Sequence, residues 1–199
     1  MIAFLDIDKS IPYKNFQELY KTALENNQKN IEAMCISSYS KETELVDSRF
    51  VNLKYIKGSS WTFFSNYNGP KSKQFSSHDQ ISIIFYWNSI NVQIKMRAKI
   101  KKTSSIDSDE HFSKRSIEKN AIAISSKQSE IIESYDEVLE NYKKVLEDDN
   151  HIKKRPDYWG GYTFTPFYIE FWKGHESRIN KRELYVFENG AWSSFFLQP

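Results

Sequence analysis

The ten-residue segment Val92-Gln93-Ile94-Lys95-Met96-Arg97-Ala98-Lys99-Ile100-Lys101 constrains the fold more than any other part of the chain. Apolar and polar residues alternate without a break. In an extended strand Val92, Ile94, Met96, Ala98 and Ile100 therefore share one face, which must be covered by a core. The other face carries Lys95, Arg97, Lys99 and Lys101, a basic stripe that suits either solvent or a nucleic acid. The chain has 28 Lys and Arg against 26 Asp and Glu, a formal net charge of +2. That balance supplies no general field for a polyanion, so the stripe is read as a solvated face and no nucleic-acid partner is expected.

Further segments of β character lie at 33–39, 49–57, 60–67, 81–87, 162–172 and 184–187. Asn189-Gly190 is a hairpin signal before a last strand over 191–197. Phe16, Leu19, Tyr20, Ala23 and Leu24 recur at helical spacing within 15–26. A helical region is expected over about 107–149, carrying Phe112, Ile131, Ile132, Val138, Leu139, Tyr142, Val145 and Leu146. Asp107-Ser108-Asp109 and Ser134-Tyr135-Asp136 offer N-caps there. Helices that interrupt short antiparallel strands predict one α+β domain over 1–199, built on an antiparallel barrel or sandwich. With 14 Phe, 12 Tyr and 5 Trp, the chain has the bulk to fill such a core.

Several chemistries find no support. Cys35 is the only cysteine, so an intrachain disulfide and a site of several thiolates are excluded. His78, His111, His151 and His175 are scattered without a His-x-x-x-His pair, and no metal is expected. Neither Gly-x-Gly-x-x-Gly nor a P-loop occurs. Sequence order leaves a Ser/His/Asp triad open, although no Gly-x-Ser-x-Gly elbow supports one. The apolar start Met1-Ile2-Ala3-Phe4-Leu5 is broken by Asp6 and Asp8, and no run approaches the roughly 18 apolar residues of a membrane span. The protein is read as cytoplasmic, with no membrane partner. Cations do stand beside small polar residues: Arg49 and Lys54 bracket a strand, Lys71 and Lys73 follow Asn68-Gly69-Pro70, and Arg178 and Arg182 follow Lys173-Gly174. Such positions suit phosphate binding, although each taken singly reads more readily as a surface cation.

The stretch Arg155-Pro156-Asp157-Tyr158-Trp159-Gly160-Gly161-Tyr162, then Ile169-Glu170-Phe171-Trp172-Lys173-Gly174, then Arg178 and Arg182, resembles the C-terminal motifs of the pyridoxine/pyridoxamine 5'-phosphate oxidases. Upstream, Arg49-Phe50-Val51-Asn52-Leu53-Lys54, Phe63-Phe64-Ser65-Asn66, Gln93, Phe112-Ser113-Lys114-Arg115 and Ser126-Lys127-Gln128-Ser129 fall at matching spacing, so the resemblance spans about residues 15–199. It implies a split β-barrel with flanking helices, a homodimer, and flavin mononucleotide (FMN) in a cleft shared by two chains. The implied cofactor contacts are Arg49, Phe50, Val51, Asn52, Leu53, Lys54, Phe64, Ser65, Lys71, Gln93, Gln128, Ser129, Trp172 and Arg182. The implied substrate contacts are Lys54, His111, Arg115, Lys119, Arg178 and Asn180, with Arg178 and Asn180 at the catalytic ring-covering position.

Four positions depart from the family pattern. Pro70 replaces an Arg, His111 a Tyr, Lys119 a Ser and Asn180 a His. The implied reaction oxidises pyridoxine or pyridoxamine 5'-phosphate to pyridoxal 5'-phosphate with molecular oxygen as acceptor. A related oxidase of another anionic substrate, of the phenazine-biosynthesis type, and a non-catalytic flavin or pyridoxal phosphate binding protein are the alternatives.

Overall fold

A computed structural model describes residues 1–148 and 152–199. Asp149, at the expected end of the helical region, and His151 lie outside the described residues. In chain order the elements are β1 (Ala3–Leu5), α1 (Ile11–Glu25), β2 (Ala33–Tyr39), β3 (Val46–Asn52), β4 (Tyr55–Lys57) and β5 (Ser60–Asn66). Then come α2 (Pro70–Ser77), β6 (Gln80–Trp87), β7 (Val92–Lys102), α3 (Ser105–Ser113), α4 (Ile117–Ser125) and α5 (Tyr135–Leu146). The C-terminal part is β8 (Trp159–Lys173), β9 (Lys181–Glu188) and β10 (Ala191–Phe196).

The alternating segment is β7, and Val92, Ile94, Met96, Ala98 and Ile100 are all buried. Its other face is the polar one, exposed at Arg97 and Lys99: Lys99 pairs with Asp79 at 2.6 Å and the Arg97 guanidinium lies 4.6 Å from the Tyr168 ring. The strands form one curled sheet in the order β1-β4-β5-β8-β7-β6-β2-β3, antiparallel except for β1 on β4. β8 gives this sheet its split. Along one edge it follows β7 almost throughout; along the other its first half pairs with β5 and its second half with β9. The register against β7 shifts between Arg97 and Ala98, opposite Tyr168 and Pro166, which leaves Phe167 as an extra residue. A proline donates no ladder hydrogen bond, and a bulge is where a long strand tolerates one and bends.

Helix α1 plugs the curl. Its buried face is Tyr13, Phe16, Tyr20 and Ala23, and the Phe16 ring meets Trp61 at 4.5 Å, Trp87 at 5.3 Å and Phe85 at 5.4 Å. Leu24, expected on that face, is 38% exposed, and Tyr13, one turn before Phe16 and two residues before the predicted start, takes an inward place. No helix among the described residues is long and apolar enough to cross a membrane.

Other expectations need correction. The strand expected over 49–57 is two strands. Leu53 turns fully into the core, its N–H donating to the Glu32 carbonyl and that of Lys54 to the Thr62 carbonyl, so the chain passes from the β2 side of the sheet to the β5 side. The helical region is three helices, and Ile131 and Ile132 lie in the loop before α5, both exposed. Helix α3 is capped by Ser104, whose Oγ accepts from the Asp107 N–H, which places Asp107 inside the first turn; Ser134 caps α5 as expected. At the β9–β10 turn Asn189 and Gly190 have φ of 52° and 81°, the paired positive values of a tight hairpin.

Candidate active site

A cavity of about 870 Å³ opens between β3, the β5–α2 junction, α3, α4 and the loop that follows α4. Thirteen of the expected site residues line it: Arg49, Phe50, Val51 and Asn52 from β3, Lys54, Phe64 and Ser65, Lys71, His111, Arg115 and Lys119, and the loop residues Gln128 and Ser129. Two cation groups stand on its wall.

The first is built where β5 hands over to α2. Asn66 Oδ1 accepts from the Asn68 N–H at 2.7 Å and Ser72 Oγ donates to the Asn66 carbonyl at 2.8 Å, which ties the turn to the helix start. Pro70 occupies the first helical turn, where its fixed φ suits the helix and its missing N–H costs nothing. Lys71 is thereby held inward, only 7% exposed. Its ammonium donates to Ser65 Oγ at 3.0 Å and Gln128 Oε1 at 2.5 Å, both neutral. Burial, and then the neighbouring Arg49 charge, lower the Lys71 pKa to about 8. Arg49 reaches the same place from β3. Two adjacent cations, one of them buried among neutral groups and next to the positive end of a helix, make a site chemically suited to a phosphate dianion.

The second group surrounds an aromatic wall. The His111 imidazole stacks on Phe64 at 3.7 Å and 8°, and Trp159 lies nearly parallel to both. Tyr55 Oη sits 2.8 Å from His111 Nδ1. Burial, with Arg115, Lys54 and Lys114 nearby, pushes the His111 pKa down to about 4. The imidazole is therefore neutral at pH 7 and can offer a hydrogen bond but no charge. The charge comes from its neighbours. Arg115 lies 4.4 Å from the Trp159 ring and donates to Asn120 Oδ1 at 3.1 Å. Lys119 and Lys114 line the same wall, and Lys54 is paired with Glu32 at 2.8 Å. Tyr55, Glu32 and Lys114 were not anticipated from sequence as site residues. Nothing local marks Tyr55 and Glu32, since it is the fold that brings β4 and the β2 approach against α3, whereas Lys114 caps α3 beside the expected Arg115.

Six expected site residues lie elsewhere. Leu53 is fully buried in the core. Gln93, Trp172 and Arg182 stand in register across β7, β8 and β9 on the outer face of the sheet. There Arg182 is committed to the buried Glu170, with Nε and Nη2 at 2.8 and 2.7 Å from Oε1. Arg178 is exposed with a φ of 62°. Asn180 Oδ1 accepts from the His175 N–H at 3.0 Å and closes the β8–β9 turn.

Comparison with known proteins gives this arrangement a family. The chain is 31% identical over 196 residues to the pyridoxine/pyridoxamine 5'-phosphate oxidase of Bdellovibrio bacteriovorus (strain HD100), covering 98% of this chain and 99% of that one. It is 32% identical over 189 residues to that of Legionella pneumophila (strain Lens), covering 94% and 87%. The chain belongs to the pyridoxine/pyridoxamine 5'-phosphate oxidase family. Residues 159–199 match the profile described as the pyridoxine 5'-phosphate oxidase C-terminal dimerisation region. In this oxidase family member that region is β8 to β10, and it contains Trp172, Arg178, Asn180 and Arg182, none of which the cavity collects. The crystal structure of PhzG from Burkholderia lata 383, in complex with tetrahydrophenazine-1-carboxylic acid, superimposes with a TM-score of 0.90 at 20% identity, covering 96% of this chain and 93% of that one. A pyridoxamine 5'-phosphate oxidase-related, FMN-binding protein from Nostoc punctiforme PCC 73102 follows at 0.78 and 10%, covering 96% and 99%. The shared fold is the split barrel with flanking helices.

Proposed function

We propose that this protein is an FMN-dependent oxidase of pyridoxine or pyridoxamine 5'-phosphate that works as a homodimer. The observation that carries the reading is the pair Arg49 and Lys71, cationic and unmatched by a carboxylate at Lys71, beside Ser65, Gln128 and the start of α2. That donor set fits the phosphate of FMN, and Phe64 with the β3 backbone fits the flat remainder of the molecule. When bound, FMN supplies a two-electron acceptor.

The chain's own residues bind and orient. Arg115 and Lys119 hold the substrate phosphate, His111 donates a neutral hydrogen bond, and its stack on Phe64 keeps the imidazole in one plane. In the dimer a second copy supplies Gln93, Trp172, Arg182 and the Arg178 turn, which would complete the site and exclude water. Pyridoxine 5'-phosphate loses two electrons and two protons at its C4' carbinol to give pyridoxal 5'-phosphate, and oxygen leaves as hydrogen peroxide.

The test is anaerobic stopped-flow mixing of the FMN-loaded protein with pyridoxine 5'-phosphate. The expected result is bleaching of the flavin band, then an aldehyde product on admission of oxygen. Asn180 favours a second reading, because its amide is used to close a turn: the same scaffold acting on another anionic substrate. Reduction only by a different anion would support that reading. Bound FMN that no candidate reduces would support a non-catalytic binding protein.

A further inference from the structure

We propose that Gln74 is a positioning residue that sets Arg49 for the cofactor phosphate; the inference rests on the FMN reading above. Gln74 lies on α2, one turn beyond Lys71, and the two side chains share the buried face of that helix, 6% and 7% exposed. Its Oε1 accepts from Arg49 Nη2 at 2.9 Å and from Ser38 Oγ at 2.5 Å. Ser38, itself 2% exposed, also accepts from Arg49 Nη1 at 2.5 Å. The two guanidinium nitrogens are thus each held by a buried neutral oxygen, one from α2 and one from β2. The amide cannot turn round without loss, because Gln74 Nε2 donates to Asp47 Oδ2 at 2.7 Å and so fixes Oε1 toward Arg49.

This arrangement holds Arg49 without neutralising it. Asp47 is 58% exposed and stands 3.7 Å from Arg49 Nη2, beyond hydrogen-bond distance, so solvent screens that ion pair. A carboxylate in place of Gln74 would bind Arg49 more strongly and cancel the charge that an anion needs. A neutral buried oxygen fixes the fork and leaves its charge available. Because Gln74 and Lys71 ride on one helix, the direct phosphate ligand and the support for the second ligand move as a unit.

The experiment is fluorescence titration of the flavin-free protein with FMN, for the wild type, Gln74→Leu, Arg49→Ala and the double variant. Gln74→Leu is expected to weaken FMN binding about tenfold, the effect of misplacing one charged hydrogen-bond donor. In the Arg49→Ala background the same change should add less than about twofold, because coupled residues are not additive. Equal losses in both backgrounds, or no loss in the wild-type background, would overturn the proposal. If Gln74→Leu does not fold, Ser38→Ala carries the same cycle with the same expectations, since it removes the other guanidinium contact. A wild type that binds no FMN overturns the cofactor reading itself, which is a different result from a bound cofactor indifferent to Gln74.

Discussion

Lys71 shows how one residue carries a charge that the fold makes uncomfortable. Its pKa is lowered from 10.5 to about 8, so between those values the unfolded chain holds more protons than the folded one. Stability of the flavin-free protein therefore rises with pH through that window. Anion binding works in the other direction, because it restores the charged form and takes up a proton above pH 8. FMN affinity is expected to be flat near pH 7 and to fall as pH rises through 8, measured by fluorescence titration; an affinity unchanged to pH 9.5 would remove Lys71 from the site. At Asn180 the structure ties the side chain to a backbone N–H. Asn180→His is expected to raise turnover of pyridoxine 5'-phosphate while lowering stability by about 1 kcal/mol, the worth of a typical hydrogen bond. Steady-state kinetics and a melting curve of the same variant check both halves. The resemblance pointed to this residue, but only the turn geometry shows that it already has a structural occupation.

At the scale of elements, β8 decides most. A Cβ on Gly160 would lie 2.2 Å from Tyr67 Oη and 3.0 Å from Ser108 Oγ, so the start of this strand passes too close to its neighbours for a side chain. Gly160→Ala is expected to destabilise the protein by about 1–3 kcal/mol through overpacking, seen in chemical denaturation. It should also disturb the cavity, since the adjacent Trp159 backs the His111 stack. The strands were legible because their alternation is a property of consecutive residues. The helical region was less so. Ile131 and Ile132 fitted a helical period by chance, whereas Ser126-Lys127-Gln128-Ser129 had to leave the helix to bring Gln128 to Lys71, and Ser129 adopts a φ of 71° in doing so.

The whole molecule presents an unusual outer face. Phe50, Cys35, Ile84, Lys95, Glu170, Leu184 and Phe195 follow one another in cross-strand register, and Phe50, Ile84 and Phe195 are 76%, 36% and 53% exposed. The row beside it holds Tyr86, Gln93, Trp172 and Arg182. An apolar face of this extent with polar anchors among it suits a self-complementary interface. Light scattering is expected to give twice the chain mass. Ile84→Arg, which sets a second cation beside Lys95, should yield monomers with weakened FMN binding. A monomeric Ile84→Arg protein with wild-type FMN affinity would separate the dimer from the cofactor site.

The sequence alone determined the strand that needs a core, the α+β character, the exclusion of an intrachain disulfide and, through its motifs, thirteen of the residues that gather around one cavity. These are properties of neighbours along the chain or of short strings whose spacing is preserved. Tertiary structure alone decided that His111 is neutral, that Lys71 is half-titrated near pH 8, that Gln74 and Ser38 grip Arg49, and that Gln93, Trp172 and Arg182 stand apart from the cavity. The reason is physical. Burial and the approach of charges from distant segments set pKa values and hydrogen-bond partners, and those distances exist only once β3, α2 and α3 have been brought together.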